Sequence, residues 1–328
     1  MTSPQLDILA IGDAIVDVIA PCEDAFLDAH GLTKGAMQLL DAPASDRLYA
    51  AMGQAQAISG GSAANSLAGI AALGLDAAFV GQVADDQLGE IFAHGMRSLG
   101  VRFDTAPLAG GLPTGRCLIL VTPDAQRTMN TCPGASHELT PTAIDDDLVR
   151  SAKITFLEGY LWGPEQPRLA MIKAATIARS SSRTIAFTLS ESLCIGDRRK
   201  GVMGMIDDGL VDILFGNEHE VRHLTGCASL NDCLESLSGK VETLIVTRGA
   251  AGAVARQNGE QVTVSAAPIE RIVDTTGAGD QFAAGVLAAR CRGKGLRESL
   301  ELGAVAAAEV ISHYGARPLA DLKQMVAL

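Results

Sequence analysis

DTTGAGDQFAAGVL, at residues 274–287, is a glycine-rich turn that runs directly into a helical pattern. Gly277, Ala278 and Gly279 let the backbone approach a ligand closely and point its N–H groups at it. The dipole of the following helix favours negative charge there. Asp280 stands in the first turn, where its carboxylate would repel a bound anion but could accept a proton from a hydroxyl group. The pattern predicts an anion-binding turn with a general base beside it, with a simple capped helix as the alternative.

The rest of the chain alternates short apolar runs with longer segments of helical period. The apolar runs lie at residues 7–12, 77–83, 153–159, 183–189, 211–217 and 243–249. Segments of helical period lie between them, for example at 62–74, 88–100 and 167–180. Wholly apolar strands that alternate with helices predict an α/β fold with a parallel sheet covered on both faces. In such a sheet, ligands bind at the carboxyl ends of the strands.

Two regions, at about 14–40 and 100–132, break this alternation. The second contains PTGRCLILVTPDAQRTMNTC, residues 113–132, in which two β-prone segments flank a Pro-Asp turn and predict a hairpin. We interpret both regions as strands of a small flap beside the main sheet. Because the chain has no linker-like stretch and no internal repeat, residues 1–328 are predicted to form one domain with a lid.

Composition and charge narrow the class of protein. A chain with 48% hydrophobic residues, 35 glycines and 4% aromatic residues is typical of a globular enzyme. The net charge of -12 argues against binding to nucleic acids or anionic membranes. The seven cysteines include no C-x-x-C pair, which predicts reduced thiols and a cytoplasmic location. Asp7, Asp13 and Asp17 interrupt the N-terminal apolar run, which argues against a signal peptide or membrane anchor.

The glycine-rich motif resembles the C-terminal hallmark of the ribokinase-like (phosphofructokinase-B type) kinases. ISGGSAANSLAGIAALG, at residues 58–74, is similar to their N-terminal hallmark, two glycines followed by Asn65 on a helix. Neither a Walker A motif nor the H-R-D and D-F-G pairs of protein kinases occurs in the chain. The resemblance covers essentially the whole chain and implies a doubly wound α/β domain with a small β-sheet lid. It also implies transfer of a phosphoryl group from ATP, with Mg2+, to a small molecule.

The resemblance assigns roles to the residues of the two hallmarks. Asp280 would be the catalytic base, and the anion hole would be formed by Gly277, Ala278 and Gly279. The hydroxyl groups of the acceptor would be bound near the first strand and the second hallmark, by Asp13 or Asp17 together with Gly61 and Asn65. Asp13 and Asp17 are placed at the end of the first strand. The alternative interpretation of Asp17 is a solvated residue of the lid.

The resemblance also points to residues that would bind the nucleotide. Asn217 and Glu220 match an N-x-x-E pattern that organises Mg2+ and phosphate through water. Thr247, Arg248 and Gly249 match a T-[KR]-G pattern that follows a strand and lies along the nucleotide. Both patterns stand at the ends of apolar runs, so they are expected at the edge of the sheet where ligands bind.

Three further residues would contact phosphate or a monovalent cation. Arg127 follows the turn of the predicted hairpin and would swing over the phosphates, with a surface arginine as the alternative. The backbone carbonyls of Asp274 and Thr276 lie near the usual monovalent-cation loop of the family and would hold K+. ATP and Mg2+ are therefore the expected cofactors, with K+ as a further expectation.

The stretch GNEHEVRHLTG, at residues 216–226, also contains the H-E-x-x-H pattern of zinc peptidases, with Glu220 between His219 and His223. Such a site needs a third ligand, and none of the other four histidines lies in a supporting motif. We interpret the pattern as a coincidence and place the two histidines on a helix surface. A zinc hydrolase and a non-enzymatic binding protein are the alternatives from other classes.

The acceptor is predicted from weaker similarities. The stretches that look like the adenosine-kinase branch of the family lie at 26–32, 34–41, 113–122 and 211–221. Tyr160 and Trp162, just beyond a strand end, would form a flat slot for a nucleoside base, unless they pack under the lid. Asp13 stands where that branch usually has Asn, which fits the sugar kinases better. The prediction is phosphorylation of adenosine to AMP, as in purine salvage, by a monomer or homodimer; phosphorylation of ribose or fructose is the alternative.

Overall fold

The computed structural model describes residues 5–124, 126–190 and 198–325. The strands of these residues, numbered in chain order, are β1 Leu6–Ile11, β2 Ile15–Pro21, β3 Met37–Leu39, β4 Gln56–Gly60, β5 Ala77–Val80, β6 Arg102–Phe103, β7 Gly115–Val121, β8 Arg127–Cys132, β9 Ala152–Glu158, β10 Thr184–Thr188, β11 Ile213–Asn217, β12 Thr243–Thr247, β13 Ala253–Gln257 and β14 Glu260–Val264. The α-helices are α1 Asp24–Ala29, α2 Ala42–Ala51, α3 Ser62–Ala72, α4 Gln87–Ser98, α5 Asp146–Ser151, α6 Glu165–Ser180, α7 Arg199–Asp207, α8 Glu218–Thr225, α9 Leu230–Ser236, α10 Ala278–Cys291, α11 Leu296–Val310 and α12 Leu322–Met325.

The larger of two sheets has the strand order β14-β13-β12-β11-β10-β9-β1-β5-β6. The six apolar runs of the sequence become β1, β5 and β9 to β12, and these strands pair in parallel. β13 and β14 extend one edge in antiparallel orientation. The prediction of a mostly parallel sheet is therefore confirmed. The carboxyl ends of its central strands lie along one edge, where the polar residues of the motifs follow them.

Both faces of this sheet are buried, as alternate residues of β1 demonstrate. Ile8 and Ala10 enter one apolar cluster, whereas Leu9 and Ile11 enter another. Helices α3, α10 and α11 contribute to the first cluster, and α6 and α7 contribute to the second. Burial on two sides explains why these strands are apolar throughout instead of alternating with polar residues. In the part of the chain that the structure describes, no helix combines the length and apolarity needed to cross a membrane.

The smaller sheet has the strand order β3-β8-β7-β2-β4. The two regions that break the alternation supply four of its five strands, β2, β3, β7 and β8. The fifth, β4, comes from outside both regions, while β6, from the second region, pairs with β5 in the larger sheet. The sequence predicts neither placement, because such short segments carry little periodicity of their own.

Candidate active site

Asp280 lies in the first turn of α10, beside the start of α3. Its Oδ1 accepts a hydrogen bond of 2.6 Å from the Ser62 hydroxyl, and the Asn65 side chain lies beside the carboxylate. Burial raises the pKa of Asp280 to about 6, although both polar side chains oppose the shift. The carboxyl group is therefore held in place, mostly ionised at neutral pH, and close enough to protonation to exchange a proton.

The turn before α10 depends on two glycines for different reasons. Gly277 has a φ of 78°, and a Cβ there would lie 2.7 Å from the Ala316 backbone. At Gly279 a Cβ would meet no atom within 4 Å, so open space faces this first-turn residue. First-turn amides have no acceptor within their own helix, and the helix dipole adds partial positive charge. The Ala278 amide donates a 3.2 Å hydrogen bond to the Thr275 carbonyl within the turn, and the open space beside Gly279 fits a phosphate.

The carboxyl group of Glu158, which no motif predicts, joins the end of β1 to the start of α3. Glu158, the last residue of β9, is fully buried and accepts hydrogen bonds from Ala63 N at 2.7 Å and Asp13 N at 3.4 Å. Burial raises the pKa of Glu158 well above its usual value, and the nearby charges of Asp13 and Asp280 raise it further. A charged residue at the end of a wholly apolar run was the sequence signal for this site.

The residues predicted to bind the acceptor lie around this carboxyl group. Gly61 has a φ of 93°, and a Cβ there would overlap the Asp13 carbonyl oxygen. The Asp13 carboxylate accepts a 2.9 Å hydrogen bond from Ser136, and burial raises its pKa. Asn65 is buried in α3 with its side chain directed at Asp280. The structure therefore brings Asp13, Gly61 and Asn65 together at one edge of the larger sheet.

Asp17 requires a correction of position. It lies in the middle of β2 in the smaller sheet, because the chain crosses from one sheet to the other after Asp13, and not at the end of the first strand. Burial raises its pKa to about 6, with the charges of Arg317 and Arg127 opposing the shift and that of Asp280 adding to it. Asp17 thus faces the site from the opposite side, together with Arg317, which no motif predicts.

The face of the smaller sheet that carries Asp17 is otherwise mainly apolar. Side chains alternate along strands, so Ile15 shares this face with Asp17, and Cys117 and Ile119 join it from the register-matched β7. Ile15, Cys117 and Ile119 form an apolar cluster of their own. This face gives the site an apolar wall with one carboxylate in it, which the sequence alone did not predict.

Arg127, at the start of β8, points inward and joins the smaller sheet to the turn before α10. Its guanidinium forms an ion pair with Asp274 and donates a 2.8 Å hydrogen bond to the Thr276 hydroxyl. The Asp274 carboxylate also accepts hydrogen bonds of 3.0 Å from Thr276 N and Gly315 N. Arg127 is therefore not a surface arginine, and it holds the anion-binding turn against the smaller sheet.

Asn217 and Glu220 form a capping box at the start of α8. The Asn217 side chain accepts a 2.9 Å hydrogen bond from Glu220 N, and the Glu220 carboxylate accepts 2.8 Å bonds from Asn217 N and Nδ2. This geometry accounts for the N-x-x-E spacing at the level of helix capping alone. Glu220 is nevertheless buried, so its carboxylate is fixed in position at the edge of the sheet.

The T-[KR]-G segment lies directly beside this capping box. Thr247 is in register with Asn217 on the adjacent strand, and Gly249 follows in a turn with a φ of 55° and open space around it. Arg248 is exposed, with Nε 3.6 Å from the Glu218 carboxylate. The structure therefore brings both predicted nucleotide motifs together at the carboxyl ends of neighbouring parallel strands.

Trp162 does not line an open slot, which corrects the predicted pairing with Tyr160. A short 3-10 turn follows β9 and directs Trp162 into the core, where it is 2% exposed and packs edge-on against Phe187 at 5.9 Å. Gly201 of α7 also approaches the indole closely. Tyr160, in the same turn, is half-buried and stays a candidate for acceptor contact.

The H-E-x-x-H pattern does not build a metal centre. The His219 and His223 rings lie beside each other on α8 in a tilted arrangement, 4.6 Å between centroids, while Glu220 between them turns inward to Asn217. Within the described ranges, no group of three His, Cys, Asp or Glu side chains is arranged to hold a metal ion. Cys22, Cys117, Cys132, Cys227, Cys233 and Cys291 are free thiols; Cys194 lies outside the described residues.

Comparison with known proteins agrees with this geometry. The family model described as pfkB family carbohydrate kinase matches residues 6–322. The structure of adenosine kinase from Sinorhizobium meliloti is 45% identical, with 98% of each chain covered and a TM-score of 0.91. That of a probable sugar kinase from Rhizobium etli CFN 42 is 41% identical, with the same coverage and TM-score. The adenosine kinase of Saccharomyces cerevisiae is 26% identical over 96% of each chain.

A family match over nearly the whole chain defines the class of protein. The chain belongs to the pfkB family of carbohydrate kinases, and it is a kinase of the carbohydrate or nucleoside type. Kinases of this family generally use ATP with Mg2+ and act on small molecules. The predicted ribokinase-like fold, with a large mostly parallel sheet and a smaller sheet, is confirmed.

Proposed function

We propose that this kinase transfers the γ-phosphoryl group of ATP to the primary 5' hydroxyl of a nucleoside, converting adenosine to AMP. The observation that carries the reaction is the placement of Asp280. This carboxylate, with a pKa raised to about 6, lies in the first turn of a helix with open space beside Gly279. A base beside an anion-binding turn is what transfer of a phosphoryl group to an alcohol requires.

In the proposed reaction, Asp280 accepts the proton of the acceptor hydroxyl as its oxygen forms a bond to the γ-phosphorus. The bond between that phosphorus and the β–γ bridging oxygen breaks, and ADP leaves with the electron pair. The amides of Gly277, Ala278 and Gly279 hold the phosphoryl oxygens while this charge moves. Asn65 and Gly61, with Asp13 or Asp17, orient the sugar ring of the acceptor by hydrogen bonds.

The nucleotide is proposed to bind along the adjacent strand ends. Glu220, fixed by Asn217, would organise Mg2+ and phosphate through water, and Thr247 to Gly249 would lie along the nucleotide. Mg2+ neutralises phosphate charge when it is bound with ATP. The buried Glu220 carboxylate fits this outer role, because its two oxygens accept hydrogen bonds at the open edge of the sheet.

A nucleoside acceptor is supported by the apolar wall around Asp17. A free sugar offers hydroxyl groups on all sides, whereas a nucleoside carries a flat base that favours apolar contact. Ile15, Cys117 and Ile119 supply such a surface, and Asp17 is near enough to Asp280 for their charges to interact. The names of the similar proteins include both adenosine kinase and sugar kinase, so they do not distinguish the two acceptors. The proposal of a nucleoside acceptor is therefore based on this apolar wall.

A sugar kinase acting on ribose, fructose or a related sugar is the second candidate. It is favoured by the number of carboxyl groups at the acceptor end of the site. Asp13, Asp17 and Glu158 are all buried or half-buried there, and carboxylates that point at hydroxyl groups are common in sugar recognition. The monovalent cation proposed at the carbonyls of Asp274 and Thr276 applies to both candidates.

The decisive experiment measures ADP release with Mg-ATP and a panel of acceptors: adenosine, inosine, guanosine, ribose, fructose and 2-keto-3-deoxygluconate, with and without K+. Turnover on adenosine supports the nucleoside proposal, and its phosphorylated product is identified as AMP. Turnover on free sugars alone replaces it by the second candidate. The Asp280→Asn variant from the same preparation controls for contaminating kinases. A dependence on K+ supports the proposed cation site.

A further inference from the structure

Asn65 is held by two side chains, that of Arg317 from outside both hallmarks and that of Gln281 from the position after Asp280. The Arg317 Nε donates a 3.2 Å hydrogen bond to the Asn65 side-chain oxygen, Oδ1. Gln281 donates from Nε2 to the Asn65 backbone carbonyl at 2.8 Å and to the Ala316 carbonyl at 3.0 Å. The helix α3 and the segment after α11 are thus joined at the residue that contacts Asp280.

The chemistry of arginine fixes the orientation of the Asn65 amide. A guanidinium has only donors, so the amide atom that faces Arg317 must be the oxygen. The amide nitrogen then points the other way, toward the Asp280 carboxylate, whose pKa this side chain lowers. A flipped amide would present its oxygen to the carboxylate and its nitrogen to the guanidinium, which is unfavourable at both ends.

Arg317 is itself held in place by a site shaped for it. Its Nη1 donates a 2.8 Å hydrogen bond to the hydroxyl of Ser59 at the end of β4. Gly95, in the middle of α4, leaves the space for that hydroxyl, because a Cβ there would overlap Ser59 Oγ. Glycine inside a helix is less stable than alanine, so the chain maintains this packing at the expense of helix stability.

We propose that Arg317 is a positioning residue that acts through Asn65, locking the side-chain amide so that its NH2 group faces Asp280 and stabilises the ionised base. The inference rests on the proposed role of Asp280 as the base. Arg317 contacts neither reacting atom. Its effect is to select one of two amide orientations, and the selected one favours the carboxylate form that accepts a proton.

Other charged groups also face Asp280 and have to be separated from this effect. Asp17 approaches it from β2 and Glu158 from β9, and both are near enough for their charges to interact with it. Arg127 and Arg317 lie close to Asp17. Removing Arg317 therefore deletes a positive charge as well as an anchor for the amide, and the experiment has to distinguish the two.

A double-mutant cycle makes that distinction. The pH dependence of kcat/KM is measured for the wild type, Arg317→Met, Asn65→Ala and the double variant, since its acidic limb reports the base of the free enzyme. We expect Arg317→Met to move the acidic limb upward by about one pH unit and to produce a clearly smaller shift, that of the lost charge alone, in the Asn65→Ala background. An equal shift in both backgrounds, or no shift in either, overturns the proposal.

A matched control and a second measurement keep the result clear. Arg292→Met removes an arginine that donates a 2.7 Å bond to the Leu73 carbonyl, away from Asp280, and should leave the acidic limb unchanged. If Asn65→Ala turns over too slowly, titration of the Asp280 carboxyl carbon by 13C NMR, assigned with Asp280→Asn, measures the same pKa shifts. If the wild type turns over no acceptor, the proposed function is refuted but the role of Arg317 is not. The NMR titrations of the wild type and the three variants still decide that role.

Discussion

Asp280 is subject to opposing influences, and their balance determines what it can do. Burial favours the neutral acid, whereas the Ser62 hydroxyl and the Asn65 amide favour the carboxylate. The resulting pKa of about 6 leaves the group mostly ionised at pH 7 to 8. A base with a pKa near the working pH combines a high fraction of the reactive form with a useful affinity for the proton.

Asp280→Asn should abolish nearly all turnover while leaving the fold intact. Asparagine has nearly the same shape and can still accept the Ser62 hydrogen bond, but it cannot take up the proton of the acceptor. We expect kcat to fall by on the order of 10²–10⁴-fold, with unchanged circular dichroism and a similar KM for ATP. Wild-type turnover in this variant, measured by ADP release, rules out Asp280 as the base.

The same substitution should change stability with a definite sign. The pKa of Asp280 is raised from 3.8 to about 6 in the folded state, so the folded protein binds the proton more tightly than the unfolded chain. The contribution of Asp280 to stability therefore falls as pH rises from about 4 to about 6. Asp280→Asn should be more stable than the wild type above pH 6, by on the order of 1 kcal/mol, and equally stable near pH 4. Urea denaturation at the two pH values measures this, and a gain that is larger at pH 4 would contradict it.

Activity should fall on the acid side with a midpoint near pH 6. Asp280 and Asp17 both have pKa values raised to about 6 by burial, and their charges interact, so the limb belongs to the pair. Asp17→Asn removes one neighbouring negative charge and should lower the midpoint, since the remaining carboxylate is then easier to ionise. The measurement is kcat/KM against pH; a midpoint that rises in Asp17→Asn contradicts this arrangement.

At the scale of elements, two glycines within three residues at the start of α10 have different uses. We expect Gly277 to be needed for stability and Gly279 for nucleotide binding. Gly277→Ala places a Cβ against the Ala316 backbone in a left-handed conformation, and should cost about 1–3 kcal/mol of stability. Gly279→Ala meets no atom within 4 Å, so it should fold like the wild type and instead raise the KM for ATP by intruding on the anion-binding turn. Thermal unfolding and ATP kinetics of the pair test this, and a stable Gly277→Ala or an unchanged KM in Gly279→Ala contradicts it.

The capping box of α8 permits a similar separation of stability from nucleotide binding. Glutamine can replace glutamate in a capping box, so Glu220→Gln should unfold at nearly the wild-type temperature while needing a higher Mg2+ concentration for activity. Glu220→Ala should lose both, with a stability cost of about 1 kcal/mol. If Glu220→Gln has the Mg2+ dependence of the wild type, the N-x-x-E pair serves only to cap the helix.

Local patterns explain which parts of the site the sequence could predict. The turn before α10 could be predicted because its glycines, its helix and Asp280 are consecutive in the chain. Arg317 could not, since it is a single arginine in a loop that meets Asn65 across 252 residues. Trp162 was misplaced because the direction of a side chain beyond a strand end depends on the turn that follows, here a 3-10 turn into the core.

For the whole molecule, the question is how the smaller sheet is held over the larger one. The parallel sheet was predictable because burial on both faces makes its strands wholly apolar. The smaller sheet was predicted only in part, because β4 has only five residues and too little periodicity of its own. Two arginines join the sheets at the site: Arg127 to Asp274 and Thr276, and Arg317 to Ser59.

Arg127→Met should loosen this connection and impair use of ATP together. Asp274 keeps hydrogen bonds from Thr276 and Gly315, so the loss of stability should be below the ~3–5 kcal/mol typical of an uncompensated buried charge. Hydrogen exchange should increase at residues 127–132 and at 274–277, on both sides of the broken ion pair. The Arg127 Nε atom is buried without a partner among the described residues, so a donor for phosphate is also lost, and kcat/KM for ATP should fall.

Arg256→Met is the matched control for this experiment. Arg256 is comparably buried, at 20% side-chain exposure against 13% for Arg127, and forms an ion pair of 2.6 Å with Glu235 at the far edge of the larger sheet. Its loss should raise hydrogen exchange only near β13 and leave the kinetics for ATP unchanged. If Arg127→Met increases exchange in β8 alone, the anion-binding turn is stable without the smaller sheet. Arg127 would then act on phosphate directly, because the two sheets would not be coupled through this ion pair.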